Sequence, residues 1–262
     1  MAKILTLDIE TQRGIVESFD CYPYSIAIDR IRVPARMLCF AAKWYDEEEV
    51  QFFSAWDEDR SYNVKPKQYR AMLQAGWDLL DEADVVITWN GNRFDLQWFE
   101  GEFAKYDMGP PSPYKSLDLF VVAKRKFGRS LMSLKLDWSA RQWLGDKKVP
   151  HGGTDLWEDI RYGTPAEKAA AQQIMMDYNI HDVVLTEQLL DKHRAWTGVN
   201  FAIYDQDNED RTVCPHCESP NLVKRGFFYT TSYAYQRHRC KDCGGWSRGR
   251  RSVYTTELRP VA

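Results

Sequence analysis

Two carboxylates inside an apolar strand constrain this chain more than any other feature. Ile4, Leu5, Leu7 and Ile9 form a short, nearly continuous apolar run, the pattern of a strand buried on both faces, and Asp8 and Glu10 sit within it. Strand side chains two apart share a face. Two acids side by side on a buried strand repel each other and resist desolvation unless a positive charge lies between them. A divalent metal ion is the simplest such charge, and a site for one needs further oxygen ligands from elsewhere in the chain.

Beyond this first strand, Arg36–Tyr45 and Val50–Trp56 read as two more, with the acidic segment 46–49 as the hairpin loop between them. Lys65–Glu82 carries Tyr69, Met72, Leu73, Trp77 and Leu80 at helical spacing, and Val85–Trp89 is a fourth strand that stops at the turn signal Asn90-Gly91. A helix over Phe94–Tyr106, a proline-rich loop over Gly109–Pro113, a short strand over Tyr114–Leu119 and helices over Leu119–Phe127 and Lys135–Leu144 follow, then a loop from Gly145 to Gly153. Three adjacent strands, then strands alternating with helices, predict an α/β mixed sheet flanked by helices. Trp89 and Trp98 read as core.

The helix starting near Pro165 has the clearest boundary signals. Thr164 is placed as N-cap, Pro165 fits the first helical position and Glu167 completes a capping box. Its inward stripe reads Ile174, Tyr178, Asp182, Leu185, Leu189, so Tyr178 and Asp182 stand one turn apart on the face that meets the core. An acid on that stripe is out of place unless paired.

Asp8, Glu10, Asp95 and Asp182 thus come from three separate elements. Hard cations such as Mg²⁺ and Mn²⁺ prefer carboxylate oxygens, and two of them ~4 Å apart stabilise both the attacking and the leaving oxygen of an in-line phosphoryl displacement. Tyr178, one turn before an acid, is placed to hold or polarise the attacking water.

Asp8-Ile9-Glu10, Asn90-Gly91-Asn92-Arg93-Phe94-Asp95 and Tyr178-Asn179-Ile180-His181-Asp182 resemble the three exonuclease motifs of the DEDD superfamily, in particular the proofreading domains of family B DNA polymerases and related stand-alone 3′–5′ exonucleases. The resemblance covers about residues 1–195. It implies a ribonuclease-H-like fold, Asp8, Glu10, Asp95 and Asp182 as ligands of two Mg²⁺ or Mn²⁺ ions, and hydrolysis of the terminal phosphodiester from a 3′ end with release of nucleoside monophosphates. The histidine-type branch needs His five residues before Asp182, where this chain has Asp177; the tyrosine-type (DEDDy) branch needs Tyr four residues before, and Tyr178 is there. His181 fits neither pattern. Asn90 and Phe94 match positions that lie near the substrate strand in the family, with turn formation and core packing as their alternative roles. The expected substrate is single-stranded nucleic acid, DNA in preference to RNA. The alternatives are an RNA-directed or structure-specific nuclease and, in another class, a catalytically silent nucleic-acid-binding protein.

Cys214-Pro215-His216-Cys217 is followed after 22 residues by Cys240-Lys241-Asp242-Cys243. Two such C-x₂-C knuckles make a Cys₄ site for one structural Zn²⁺, closed to water. The segment resembles a zinc ribbon, with Lys224–Arg239 as the hairpin between knuckles. His216 and His238 lie close enough to substitute for a ligand, but four cysteines leave no vacancy. Cys21 and Cys39 read as free or buried thiols.

The net charge of −3 hides an asymmetry: residues 211–262 hold 10 Lys and Arg against 3 Asp and Glu. Basic residues there interleave with aromatics from Lys224 to Arg251, a pattern suited to single strands, where cations track phosphate and rings stack on bases. A replication or repair protein is the alternative partner of this module. The expected organisation is a ribonuclease-H-like exonuclease domain over 1–197, an acidic linker over 198–211 and the ribbon over 212–262. No leader pattern precedes the first strand and no run approaches the ~18 apolar residues of a membrane span, so a cytoplasmic, reducing setting is expected.

Overall fold

The structure, a computed structural model, describes residues 2–21, 23–45, 47–56, 67–145, 155–204 and 212–259. It divides into two compact units, residues 3–189 and a second consisting of 1–2 and 190–262.

In the first unit the strand bearing Asp8 and Glu10, β1 (Ile4–Gln12), lies in the middle of a five-stranded sheet. A small hairpin of β2 (Ile15–Val16) and β3 (Ile31–Val33) follows it, outside that sheet and without a signal in the sequence. Next come β4 (Arg36–Trp44), β5 (Gln51–Ser54), α1 (Lys67–Glu82), β6 (Val85–Thr88), α2 (Asp95–Lys105), β7 (Lys115–Asp118), α3 (Leu119–Phe127) and α4 (Leu136–Trp143). The sheet order is β5-β4-β1-β6-β7, antiparallel from β5 to β1 and parallel from β1 to β7. This is the expected mixed sheet flanked by helices.

Alternation along β1 divides its two faces. Leu5, Leu7 and Ile9 enter a core with Phe40, Tyr69, Leu73, Leu80 and Phe99 of β4, α1 and α2. Asp8 and Glu10 point the other way, and their cross-strand partners on β4 are the small residues Ala41 and Cys39. Regular pairing runs up to Glu10 and shifts at a bulge between Glu10 and Thr11, so the two carboxylates keep one face before the strand turns. Cys39 packs with Leu156 and Ile160 of α5 (Asp155–Tyr162) and with Met175 and Tyr178 of α6 (Pro165–Thr197), which places these helices on the acid-bearing face. The Trp157 indole on α5 donates to the Thr11 carbonyl at 3.0 Å and ties that helix to the end of β1.

The capping box of α6 forms as read: the Thr164 N–H donates to Glu167 Oε2 at 2.7 Å. One position of its inward stripe is corrected. Ile174 is 39% exposed, and Met175 takes its place in the core. At about 100° per residue, seven residues back from Asp182 fall ~20° short of two full turns, while eight overshoot by ~80°. Helix α5 has no counterpart in the sequence reading. Of the expected segments, the first two residues of the helix over Lys65–Glu82, position 46 of the hairpin loop and 146–153 of the Gly145–Gly153 loop lie outside the described residues. Among the described residues, no helix is long and apolar enough to cross a membrane.

In the second unit, β8 (Leu222–Tyr229), β9 (Tyr233–Cys240) and β10 (Trp246–Thr255) form an antiparallel sheet in the order β10-β9-β8. The third strand carries no strand signal in the sequence, because its four basic and glycine positions over 248–251 obscure any alternation. The stretch read as a linker is described as far as Tyr204, and 205–211 lie outside the described residues. Within it Phe201 is fully buried under the Arg194 guanidinium, and its N–H donates to the Pro215 carbonyl at 2.7 Å.

Helices α1 and α2 meet where α1 has no side chain: a Cβ on Gly76 would lie 2.3 Å from the Phe99 ring, whereas one on Gly101 of α2 meets nothing within 4 Å. Gly76→Ala is expected to lower the unfolding free energy by ~1–3 kcal/mol through overpacking. Gly101→Ala is expected to raise it by ~0.5–1 kcal/mol through helix propensity. Denaturant titration of both variants reads the two signs.

Candidate active site and metal centres

Asp8, Glu10, Asn90, Phe94, Asp95, Tyr178 and Asp182 line a single cleft of about 870 Å³ in the first unit. Its remaining lining comes from Ile9, from Trp89, from Phe120 of α3, and from α4 with the segment before it, including Lys135 and Arg141. Trp89, read as core, is instead a half-buried wall of this cleft, its indole donating to the Leu134 carbonyl at 3.1 Å. Trp98 does pack against the core.

Hydrogen bonds hold the acids to one another's elements. Beyond Thr6 the pairing of β1 with β6 ends, and the Ile9 N–H donates instead to Asp95 Oδ1 at 2.9 Å. From α6, Asn179 Nδ2 donates to the Asp8 carbonyl at 3.1 Å and to Asp8 Oδ2 at 2.7 Å. Asn179 is fully buried. It stands inside the third motif of the sequence, yet nothing there marks it as the residue that fixes Asp8.

The loop that delivers Asp95 depends on Asp118, at the end of β7, which sequence reasoning also missed. Its buried carboxylate accepts from the N–H groups of Asn90 at 2.9 Å and Asn92 at 3.3 Å. It also caps α3 through Phe120 and Val121. Asn90 adopts φ 71°, a left-handed conformation that asparagine tolerates, and a Cβ on Gly91 would come within 2.4 Å of the Thr88 side chain. Phe94 is 40% exposed and is not packed into the core.

The electrostatics suit a cation. Burial pushes the Asp95 carboxyl up to about 7 despite the N–H groups that favour its charged form, with the Asp118 charge adding to the rise. Burial, with the charges of Glu10 and Asp8, pushes the Cys39 thiol beneath them well up. An all-oxygen donor set of four carboxylates suits hard divalent ions, and two ions ~4 Å apart would be served by carboxylates that do not all meet at one point.

Among the described residues, the four cysteines alone form a tight metal-ligating cluster, with ligand atoms all within 4.8 Å of one another. Cys214 Sγ lies 3.6 Å from Cys243 Sγ, and Cys217 Sγ lies 3.7 Å from Cys240 Sγ. Four thiolates at ~2.3 Å from a tetrahedral ion stand roughly 3.8 Å apart, so these cysteines fit one. The two knuckles repeat one backbone geometry: the Cys214 N–H donates to the Ser219 carbonyl at 2.8 Å and the Cys240 N–H to the Gly245 carbonyl at 2.9 Å. The equivalent positions Glu218 and Gly244 are both left-handed, at φ 60° and 71°. Desolvation pushes the Cys214 thiol up to about 11, whereas at Cys240 desolvation is opposed by the N–H groups of Cys243 and Asp242 and by hydrogen bonds to the Cys217 and Cys243 thiols, which together hold the thiol down to about 7. His216 is buried beside the knuckle, its Nε2 3.3 Å from the Trp246 carbonyl.

Asp118→Ala is expected to destabilise the protein by ~1–3 kcal/mol, since partly buried N–H groups and a helix cap lose their acceptor. Asp118→Asn retains one acceptor oxygen and is expected to lose less. Thermal or denaturant unfolding of both variants measures the difference.

Three comparisons bear on these arrangements. The profile of the family RNase_H_2, of the RNase_H superfamily, matches residues 34–194, which leaves β1 with Asp8 and Glu10 outside the matched stretch. The sequence matches no curated protein. The fold is similar to the family B DNA polymerase of the hyperthermophilic archaeon Pyrobaculum calidifontis, with a TM-score of 0.51 and 18% identity over 75% of this chain, which spans 26% of the polymerase chain. At that identity the likeness is one of fold. With the profile matching more than half of its length, and the five-stranded mixed sheet to go with it, the chain belongs to the RNase H superfamily.

Proposed function

We propose that this protein is a metal-dependent nuclease of the tyrosine type, which hydrolyses single-stranded nucleic acid from the 3′ end, DNA in preference to RNA. The observation that carries the reading is the single cleft lined by Asp8, Glu10, Asp95, Tyr178 and Asp182. Hydrolysis adds a water oxygen to the terminal phosphorus and releases the 3′ oxygen of the preceding nucleotide, giving a nucleoside monophosphate and a strand shortened by one.

Two Mg²⁺ or Mn²⁺ ions held by the four carboxylates would supply the charge that favours hydroxide and stabilises the leaving oxygen. The chain's own residues do the positioning. Tyr178, buried on α6 one turn from Asp182, lines the cleft, where its hydroxyl orients the attacking water. Asn179 keeps the Asp8 carboxylate in place. Asn90 and the exposed Phe94 ring line the same cleft and are assigned to the terminal nucleotide, the ring by stacking. The cysteine quartet is assigned one structural Zn²⁺, which supplies folding free energy to a module too small for much core. On this reading the nuclease module is 1–197, joined through 198–211 to a ribbon over 212–262.

Strands labelled at the 3′ or the 5′ end, as single-stranded DNA, duplex DNA and RNA, decide polarity and sugar preference under Mg²⁺ and Mn²⁺. Stepwise release from the 3′ end of single-stranded DNA is expected. Asp8→Asn and Asp182→Asn are each expected to reduce it by at least ~10²-fold, the scale of losing one preorganised electrostatic partner. Full activity in either variant sinks the metal assignment.

The raised pKa of Asp95 sets a pH dependence. Without a divalent ion the folded protein holds a proton on Asp95 that the unfolded chain, with its pKa near 3.8, releases, so stability falls as pH rises from about 4 to about 7. A cation needs the carboxylate, so thermal stabilisation by Mn²⁺ is expected to grow as pH rises through about 7. A Mn²⁺-induced shift in Tm that is flat across this range removes Asp95 from the ligand set.

A further inference from the structure

The ribbon sheet has two unlike faces. On one, Tyr235, Arg237 and Arg239 of β9 stand in register with Phe228 of β8 and with Arg248 and Trp246 of β10, in the pairs Phe228↔Tyr235, Arg248↔Arg237 and Trp246↔Arg239. Ring contacts join these side chains into one layer. The Arg248 guanidinium carbon lies 4.0 Å from the Tyr235 ring centroid and 5.4 Å from that of Phe228, while those of Arg237 and Arg239 lie 4.6 Å and 5.8 Å from Trp246. The reverse face carries Lys224 with Phe227, Gln236, His238 and Tyr254, and packs Phe227 edge-on to Tyr254 at 5.2 Å between centroids.

The first face sets like charges side by side. Arg237 and Arg248 are directly opposite each other across the strands, where like charges repel. Among the described residues, the polar contacts of these two guanidiniums run to the backbone carbonyls of Arg225 and Gly249 rather than to a carboxylate. An arginine over a ring is held extended and retains N–H edges that match phosphate. Beside the arginines, Trp246 and Phe228 are 48% and 45% exposed, a position from which a ring offers its π-face to an unpaired base. A duplex hides those base faces. An acidic polypeptide would answer the charge and leave the rings without a base to stack on.

We propose that this face, formed by Phe228, Tyr235, Arg237, Arg239, Trp246 and Arg248, binds single-stranded nucleic acid, with guanidiniums on phosphates and the exposed rings on bases. The proposal rests on the nuclease reading only for the class of its ligand.

The test is binding of a fluorescein-labelled single-stranded oligonucleotide by the full chain in an Asp182→Asn background, titrated with salt. Adding Arg237→Ala, Arg239→Ala and Arg248→Ala together is expected to weaken binding at least ~10-fold and to reduce the salt slope by about 2, at ~0.7 for each lost phosphate contact. Lys224→Ala, one charge on the reverse face, is expected to change the slope less than Arg248→Ala alone. Zinc content monitors the ribbon's fold, and if the triple variant loses zinc, the comparison of Arg248→Ala with Lys224→Ala decides by itself. Unchanged affinity overturns the proposal, as do equal effects of Lys224→Ala and Arg248→Ala. Polyglutamate competing as well as the oligonucleotide also overturns it, in favour of an acidic protein partner. Stepwise shortening of a 5′-labelled single-stranded DNA by the wild-type protein is a separate readout. Its absence ends the nuclease reading and leaves the binding result standing, whereas hydrolysis with unaltered binding by the variants ends this proposal alone.

Discussion

The hydrogen bonds from Asn179 to the Asp8 carboxylate at 2.7 Å and from the Ile9 N–H to Asp95 at 2.9 Å hold three acid-bearing elements in one place. Carboxylates gathered in a partly buried cleft repel each other, and left to themselves they would push β1, α2 and α6 apart. Each bond answers that with a donor fixed by the fold: an amide on a buried helix face, and a main-chain N–H at the point where β1 loses its neighbour. Charge-assisted bonds of this kind are worth ~1.5–3 kcal/mol each, enough to set the position of a side chain while leaving its charge for a cation. The small residues Ala41 and Cys39 beneath Asp8 and Glu10 complete the arrangement, since a bulky cross-strand partner would fill the space above the sheet.

What was legible in the sequence was whatever a local pattern encodes. The apolar run around Asp8 and Glu10, the capping box at Thr164 and the paired C-x₂-C knuckles each carry their signal within a few residues, and each forms as read. Helix α5 did not show, because its eight residues include four charged ones and bury only Leu156 and Ile160, too few for a periodicity. Asp118 and Asn179 act on residues 26 to 28 and 171 positions away, and nothing local distinguishes a long-range acceptor or donor from any polar residue at a strand end or on a helix. The Ile174 and Met175 exchange arose because a run of four-residue steps drifts off a 3.6-residue period.

Donor chemistry would keep the two proposed metal sites from competing. The four carboxylates would offer hard oxygen ligands on an open cleft, which suits Mg²⁺ and Mn²⁺. Four thiolates at the spacing of a tetrahedron's edges form a closed, soft site suited to Zn²⁺. Hardness alone does not keep Zn²⁺ off carboxylates, because first-row affinity rises toward the later metals. On the proposed reading, ions in the open acid cleft would keep waters for phosphate oxygens to replace, which suits Mg²⁺.

The ribbon faces a different problem of charge. In the cleft, like charges are acids held by donors supplied from within the same unit. On the ribbon, the arginines of β9 and β10 are held by rings, which steady a guanidinium without neutralising it. A carboxylate in the place of one of those rings would pair with the arginine and cancel its charge; a ring leaves the charge intact and the side chain extended. The same layer of side chains thereby keeps both its positive potential and its exposed aromatic surface. Those are the two properties that a flexible polyanion with unpaired bases can use together, and that a sheet stabilised only for its own sake would have no reason to combine.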